Sequence, residues 1–261
     1  MKLPRISIIT PSYNQARFIR ATIDSVLTQD YPNLEYFVID GGSDDGTIEI
    51  LKSYGEKLNW VSEKDHGQTD AINKGLKKST GEVLAFLNSD DILFPGALNI
   101  VGEYFANHKD CDWLTGNCNV IGVDGRTLLR HNWLVAGYKK ILLALYSPFT
   151  LRVVDNMFPQ PSTFWTRRAY EKIGQFDESY HYVMDYDYWL RLSKYFKPHY
   201  LRVVLSGFRS QPNSKSETSR SQMVQEGVLA LKKNGATKLE IWLHALHSQI
   251  MVVIYKIITK S

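Results

Sequence analysis

Short apolar runs alternating with helical periods over residues 6–87 constrain this chain more than any other feature. Ile6-Ser7-Ile8-Ile9, Tyr36-Phe37-Val38-Ile39 and Val83-Leu84-Ala85-Phe86-Leu87 are rich in β-branched and aromatic residues. Each is closed by polar or turn residues, as expected of strands buried on both faces. Between the first two, Ile19, Ile23, Val26 and Leu27 fall on one helical face, the stripe that covers a sheet. A second helix is predicted after Asp45 and a third from about Gln68 to Lys78, ending near Gly81. This order predicts an α/β fold: a doubly wound, mostly parallel sheet with helices on both faces. Ligands of such sheets sit beyond the carboxyl ends of the strands. That rule selects residues 10–14, 40–47 and 88–91.

Beyond residue 110 the pattern loosens. Strands are predicted over 113–120 and 200–208, an extended stretch over 159–165 and a helix over 186–195; residues 131–158 are apolar but irregular and receive no assignment. Residues 210–221, rich in Ser, Asn and Pro, read as a mobile loop. A last helix carries Leu239, Trp242, Leu243, Leu246, Ile250, Val253, Ile254 and Ile257 on one stripe. The chain therefore divides into a body, 1–210, and a loop with a C-terminal amphipathic helix, 211–261.

With 261 residues, 44% hydrophobic and 22% charged, the composition is globular, and disordered, collagen-like and disulfide-scaffold classes drop out. No apolar run approaches the length of a membrane span, and the N-terminus does not read as a secretory signal. Cys111 and Cys118 lack a ligand pattern and read as free thiols of a reducing compartment, so a cytoplasmic location is expected. The net charge of +4 is unevenly spread: residues 197–261 hold ten Lys and Arg against three Asp and Glu. The basic residues form no stripe interleaved with aromatics, so nucleic acid is not expected as a partner. An anionic membrane surface suits the basic tail better.

Two acidic segments carry the chemistry. In Asp40-Gly41-Gly42-Ser43-Asp44-Asp45-Gly46-Thr47, small residues such as Gly42 let backbone approach a ligand, and a carboxylate suits base N–H or ribose hydroxyl groups better than phosphate. The same segment can serve as an Asx-type turn that caps the next helix. In Asn88-Ser89-Asp90-Asp91, adjacent carboxylates can hold a hard divalent cation, Mn²⁺ or Mg²⁺, that in turn holds a diphosphate.

Pro11-Ser12-Tyr13-Asn14, the Asp40 segment, Gly81-Glu82, the Asn88 turn, Gly174-Gln175-Phe176-Asp177 and the run from Met184 to Leu192 occur in an order that resembles the family 2 glycosyltransferases. The resemblance spans about residues 4–208. It implies the GT-A fold, a nucleoside diphosphate sugar donor, a divalent metal and inversion at the anomeric carbon. Carried over residue by residue, it makes Pro11 and Tyr13 walls around the donor base and Asp40 the acid that bonds it. Ser89-Asp90-Asp91 matches the family's metal motif with Ser in an acidic place. Asp91 becomes the metal ligand, Asp90 a contact to ribose or sugar, and Asp70, Asn73 and Lys74 neighbours of the donor. Asp185 matches the general base, with Met184 replacing a frequent Glu. Gln211 stands where many relatives carry His.

Inverting transfer needs one base opposite the leaving diphosphate, a role Asp185 can fill. Asp187 is its rival and also suits the helix dipole. Phe164 and Trp165 can wall an acceptor site with aromatic faces or serve as core. The sequence predicts a metal-dependent enzyme adding one sugar to a hydroxyl of a glycan or lipid-linked acceptor. A non-catalytic sugar-nucleotide-binding protein is the alternative. The terminal helix can lie on an anionic membrane, with the enzyme peripheral on its inner face, or pack on protein, including a homodimer partner; its period alone does not decide.

Overall fold

The computed structural model describes residues 2–128, 141–142, 145–154, 156–211 and 219–259, without the side chains of residues 220 and 252–259. The unassigned stretch at 131–158, the expected loop at 210–221 and the stripe positions Val253, Ile254 and Ile257 fall wholly or partly outside the described residues or side chains.

The body is one sheet of eight strands: β1 (Ile6–Ser12), β2 (Leu34–Asp40), β3 (Asn59–Ser62), β4 (Val83–Phe86), β5 (Ile92–Leu93), β6 (Trp113–Ile121), β7 (Thr163–Thr166) and β8 (His199–Arg209). Their spatial order is β3-β2-β1-β4-β7-β6-β8-β5. The first four are mutually parallel, as are β6 and β8, while β7 and β5 run against their neighbours. Nine helices of four residues or more are described: α1 (Ile19–Leu27), α2 (Thr47–Ser53), α3 (Gln68–Lys78), α4 (Ala97–Asn107), α5 (Pro148–Val153), α6 (Arg167–Ile173), α7 (Met184–Leu192), α8 (Arg220–Lys233) and α9 (Lys238–Thr259).

Both faces of the sheet are covered, as the apolar runs require. Ile6 and Ile8 of β1 join the core with α1 and α4, whereas Ile9 points the other way, to α3 and α7. The α3 contact is close because Gly75 has no side chain: a Cβ there would lie 2.5 Å from Ile9 Cγ2. Helix α7 is buried almost all round, with Tyr188 stacked on Phe176 at 3.9 Å and Trp189 on Trp113 at 5.8 Å. Buried aromatic area of this kind is a dominant source of stability.

The expected strands and helices are present with shifted ends. Strand β1 runs through Pro11 to Ser12, and α3 has the bounds read from its period. Four helices and two strands were not expected, among them α5 in the unassigned stretch, α6 and the two-residue β5. Helix α4 follows Pro95-Gly96, α8 begins inside the segment read as loop, and β3 is a four-residue, partly exposed edge strand. Helix α8 packs on α7, and α9 packs on α5 and α8, so the tail lies against the body.

Candidate active site

Strands β1, β2 and β3 end level: Ser12 is in register with Asp40, and Asp40 with Ser62. The loops beyond are tied to one another. Asn14, in a left-handed conformation, accepts from Asp44 N at 3.0 Å and donates its own N–H to Ser43 Oγ at 2.8 Å. Asp45 accepts from Ala16 N, Thr47 N and the Thr47 hydroxyl. Burial opposes ionisation of Asp45, but these donors outweigh it and hold the carboxyl below its ordinary value. Asp45 thus makes the expected Asx-type turn at the start of α2, whose N-cap position is Gly46.

Asp40 is fully buried and turned onto its own loop. It accepts from Gly42 N at 3.1 Å, Ser43 N at 2.9 Å, Ser43 Oγ at 2.5 Å and Ser62 Oγ at 2.7 Å. The carboxylate that stands over this loop is Asp65, held by Gly67 N on Oδ1 at 2.8 Å, with Oδ2 against Gly41. Sequence reading missed Asp65 because β3, the strand whose carboxyl end carries it, was not recognised. Tyr13 is 61% exposed, Pro11 is buried in β1, and Gly42 lies exposed at φ 84°. The buried Ser12 hydroxyl has no hydrogen-bond partner among the described residues. An orphan at the end of a central strand marks a place that a ligand's polar group can satisfy.

Helix α3 adds charged groups. Lys74 pairs with Glu63 at 3.1 Å and with Asp70 at 3.3 Å. Burial disfavours both charged forms, yet their hydrogen bonds and mutual attraction prevail, lowering Asp70 and raising Lys74. Asn73 is differently placed. Its amide is buried and spent on Phe176 N, Phe176 O and Glu178, bracing residues 176–178 against α3.

The acidic turn follows β4, the strand that pairs with β1 on the side away from β2. Asp90 accepts from Gln211 Nε2 at 2.7 Å, so the residue at the family's His place bonds the acidic pair. Asp91 is fully buried and accepts from Arg209 N at 2.9 Å and, weakly at 3.4 Å, from Asn88 Nδ2. Arg209 also donates to Asp90 O and sits over the Phe18 ring. Ser89 is buried, and its carbonyl, with that of Asp91, accepts from Thr22 Oγ1. Burial pushes both carboxyls above their ordinary value, and for Asp91 the Asp90 charge adds to this while Arg209 only partly offsets it. Adjacent carboxylates under such strain fit a divalent cation, which relieves the repulsion. Among the described residues no cluster of three or more His, Cys, Asp and Glu forms, and Asp90 and Asp91 are the carboxylates that this turn offers a cation.

Residues 156–160 join this turn to α7. At one end Asn156 Nδ2 donates to Asp185 Oδ2 at 2.6 Å; at the other Gln160 accepts from Asn88 Nδ2 at 3.3 Å and donates to Phe86 O at 2.6 Å. Gln68 completes the link, donating to Asn88 Oδ1 at 2.7 Å. Asp185 is partly exposed in the first turn of α7, whereas Asp187 is buried, bonded to Arg191 Nε at 2.8 Å and Asn234 Nδ2 at 2.8 Å. Phe164 and Trp165 are fully buried in the cores on opposite faces of the sheet, so neither ring offers a face to an acceptor. Alternation along a strand buried on both sides explains it.

A mostly parallel sheet thus gathers carboxylates beyond its strand ends, Asp40 and Asp65 after β2 and β3 and the Asp90-Asp91 pair after β4. The sequence profile of glycosyl transferase family 2 matches residues 7–173, and the chain belongs to that family, with the GT-A fold. It is 29% identical over 231 residues to an uncharacterized glycosyltransferase of Rickettsia typhi, covering 84% of this chain and 68% of the relative. Chondroitin synthase of Pasteurella multocida is 27% identical over 207 residues, 78% of this chain but 20% of that enzyme. Among solved structures, a mannosyltransferase from Pyrobaculum calidifontis in complex with GDP-Man and Mn²⁺ superposes with a TM-score of 0.70 at 21% identity, covering 95% of this chain and 70% of the other. S. aureus TarS in complex with UDP-GlcNAc gives 0.65 at 18%, covering 93% and 71%. At these identities the structural likenesses establish the fold.

Proposed function

We propose that the protein is an inverting, divalent-metal-dependent glycosyltransferase that moves one sugar from a nucleoside diphosphate sugar to a hydroxyl of a glycan or lipid-linked acceptor. The observation that carries this reading is the 156–160 segment, which ties Asp185 to the Asn88–Asp91 turn through hydrogen bonds at both ends. A base and a diphosphate site braced to one element can hold the near-attack geometry that transfer requires.

The donor base lies along Tyr13 and Pro11, with Asp65 accepting its N–H or a ribose hydroxyl and Ser12 supplying a further contact. Asp40 keeps the loop in shape beneath it. Asp90 and Asp91 would hold the Mn²⁺ or Mg²⁺, which supplies charge neutralisation for the departing diphosphate. Asp185 takes the proton of the acceptor hydroxyl as the new bond forms on the face opposite the diphosphate, giving inversion. Asn156 fixes the carboxylate's orientation. The donors of the solved relatives, UDP-GlcNAc and GDP-Man, support a nucleotide-sugar substrate and leave its base open.

Incubation with UDP-, GDP- and dTDP-sugars in turn, with Mn²⁺ or with EDTA, tests the reading. One donor should be consumed, EDTA should stop it, and the product's anomeric configuration by NMR should be inverted. A donor that binds without ever being consumed in the presence of acceptor would make the protein a sugar-nucleotide binder.

A further inference from the structure

Helix α9 packs Ile241 against the core yet leaves a second apolar stripe facing outward. Toward the body it presents Glu240, His244 and Ser248, at 7%, 1% and 2% exposure, while Leu239, Trp242, Leu246 and Ile250 stand outward at 61%, 60%, 42% and 50%. The outward positions are three or four residues apart and so form one stripe of roughly three turns. Glu240 and the His244 ring make specific contacts, while the buried Ser248 hydroxyl finds no hydrogen bond among the described residues. Glu240 accepts from Thr237 N at 2.7 Å and Thr237 Oγ1 at 2.9 Å and pairs with Arg152 of α5 at 3.3 Å; the His244 ring stacks on Tyr186. The docked orientation is therefore specific, and it leaves the apolar stripe bare. Phe149 of α5 and Leu229 of α8, on the helices that pack against α9, are exposed as well. An apolar face of this kind marks an interaction site.

Charge selects the partner. Residues 219–261 carry six Lys and Arg against two acids. Both acids are consumed inward, Glu240 as above and Glu226 by the N–H groups of His181, Tyr182 and Val183. Lys232 and Lys238 are exposed and have no acidic partner among the described residues. A symmetric contact with a second copy would bring together two equally basic faces. Among the described residues no helix is long and apolar enough to cross a membrane.

We propose that the outward face of α9, centred on Trp242, docks the protein flat on an anionic lipid bilayer. Apolar side chains enter the headgroup boundary, the indole anchors there, and the lysines meet acidic headgroups. The inner face of the same helix touches Tyr186, the neighbour of Asp185, so docking would hold the proposed base near lipid-borne hydroxyls. That consequence rests on the transfer reading; the docking does not.

Flotation of the full chain with vesicles of equimolar phosphatidylglycerol and phosphatidylcholine, against phosphatidylcholine alone, tests it. The protein should float with the first and not the second, and raised salt should release part of it. Trp242→Glu/Leu246→Glu should stay at the bottom of the gradient, with unchanged circular dichroism and donor consumption. Lys232→Glu/Lys238→Glu, which touches no apolar residue, should float several-fold less. A wild type that floats with neither vesicle, or a Trp242 variant that floats as wild type does, overturns the proposal. So does a dimer, seen by sedimentation velocity, that this variant splits in a protein that never floats. Flotation without donor consumption upholds docking and removes the transfer reading instead.

Discussion

The carboxylate of Asp65 lies against the backbone of Gly41, so close that a β-carbon on residue 41 would stand 2.7 Å from Asp65 Oδ2. Asp40, next in the chain, faces inward with four hydrogen bonds to its own loop and β3. On the transfer reading proposed above, Asp65 is the acid that meets the donor, and residue 41 must be small for it to stay.

Gly41→Ala should displace Asp65 and weaken donor binding without loss of fold, and Asp65→Asn should weaken it by about tenfold or more, the scale of a hydrogen bond to a charged group. Calorimetry with UDP and GDP reads both. Undiminished affinity in both variants would put the donor base elsewhere. Asp40→Ala removes the acceptor of three loop donors and of Ser62 in β3, so it should lower the melting temperature as well as donor affinity.

Asp185→Asn should preserve donor affinity within a few-fold while turnover falls by ~10²-fold or more, the usual scale for loss of a general base. Asn156→Ala should act on kcat rather than on donor KM, because it frees the Asp185 carboxylate without touching the donor loops. Steady-state transfer assays with the true acceptor separate the two effects. Near-full turnover in Asp185→Asn would remove Asp185 from the mechanism.

Much of this was legible in residue order, and the remainder has identifiable causes. Continuous apolar runs gave β1, β2 and β4, which are largely buried on both faces, and a period-3.6 stripe gave α1. The half-buried β3 has no such pattern, and Asp65 was lost with it. Asn73, Phe164 and Trp165 carry residue types suited to a site, but their direction depends on which elements close over them. That information is held in distant contacts such as Asn73 with Phe176 and Glu178. Asn156 and Gln160 were invisible for the same reason: their partners lie 29 and 72 residues away in sequence.

Asp91→Ala and Asp90→Ala should each reduce Mn²⁺ binding measured in the presence of UDP. The loss should exceed that of Gln211→Ala, which only removes a hydrogen bond to Asp90. Because the Asn88 contact to Asp91 is long, Asn88→Ala should leave metal affinity within a few-fold. Equal metal affinity in wild type and both carboxylate variants would show that the turn holds no cation.

Glu240 ties the start of α9 to α5, and its titration gives a pH signature. Burial opposes its ionisation, but bonds from Thr237 N and Oγ1 and the Arg152 charge outweigh this and hold the carboxyl below its ordinary value. A carboxyl depressed in the folded state contributes stability that is complete above the unfolded value, about 4.3, and is lost as the pH falls through the folded one. The melting-temperature gap between wild type and Glu240→Gln should hold steady above about pH 5 and close progressively below about pH 4. A gap that widens on acidification would reverse the sign of the argument.

Asp187 separates structure from chemistry on the same helix. Two residues beyond Asp185, it points about 200° around α7 and is sealed among Arg191 and Asn234. Removing one member of a buried pair leaves the other charge uncompensated, so Asp187→Ala should cost about 3 kcal/mol or more. The melting temperature should fall by roughly 6 °C or more. Below that midpoint the folded fraction should retain kcat within a few-fold, the opposite of the pattern expected for Asp185→Asn. Scanning calorimetry and initial rates on one preparation decide between them. A stable Asp187→Ala protein with turnover reduced a hundredfold would move the base two residues along the helix and leave Asp185 as the structural carboxylate.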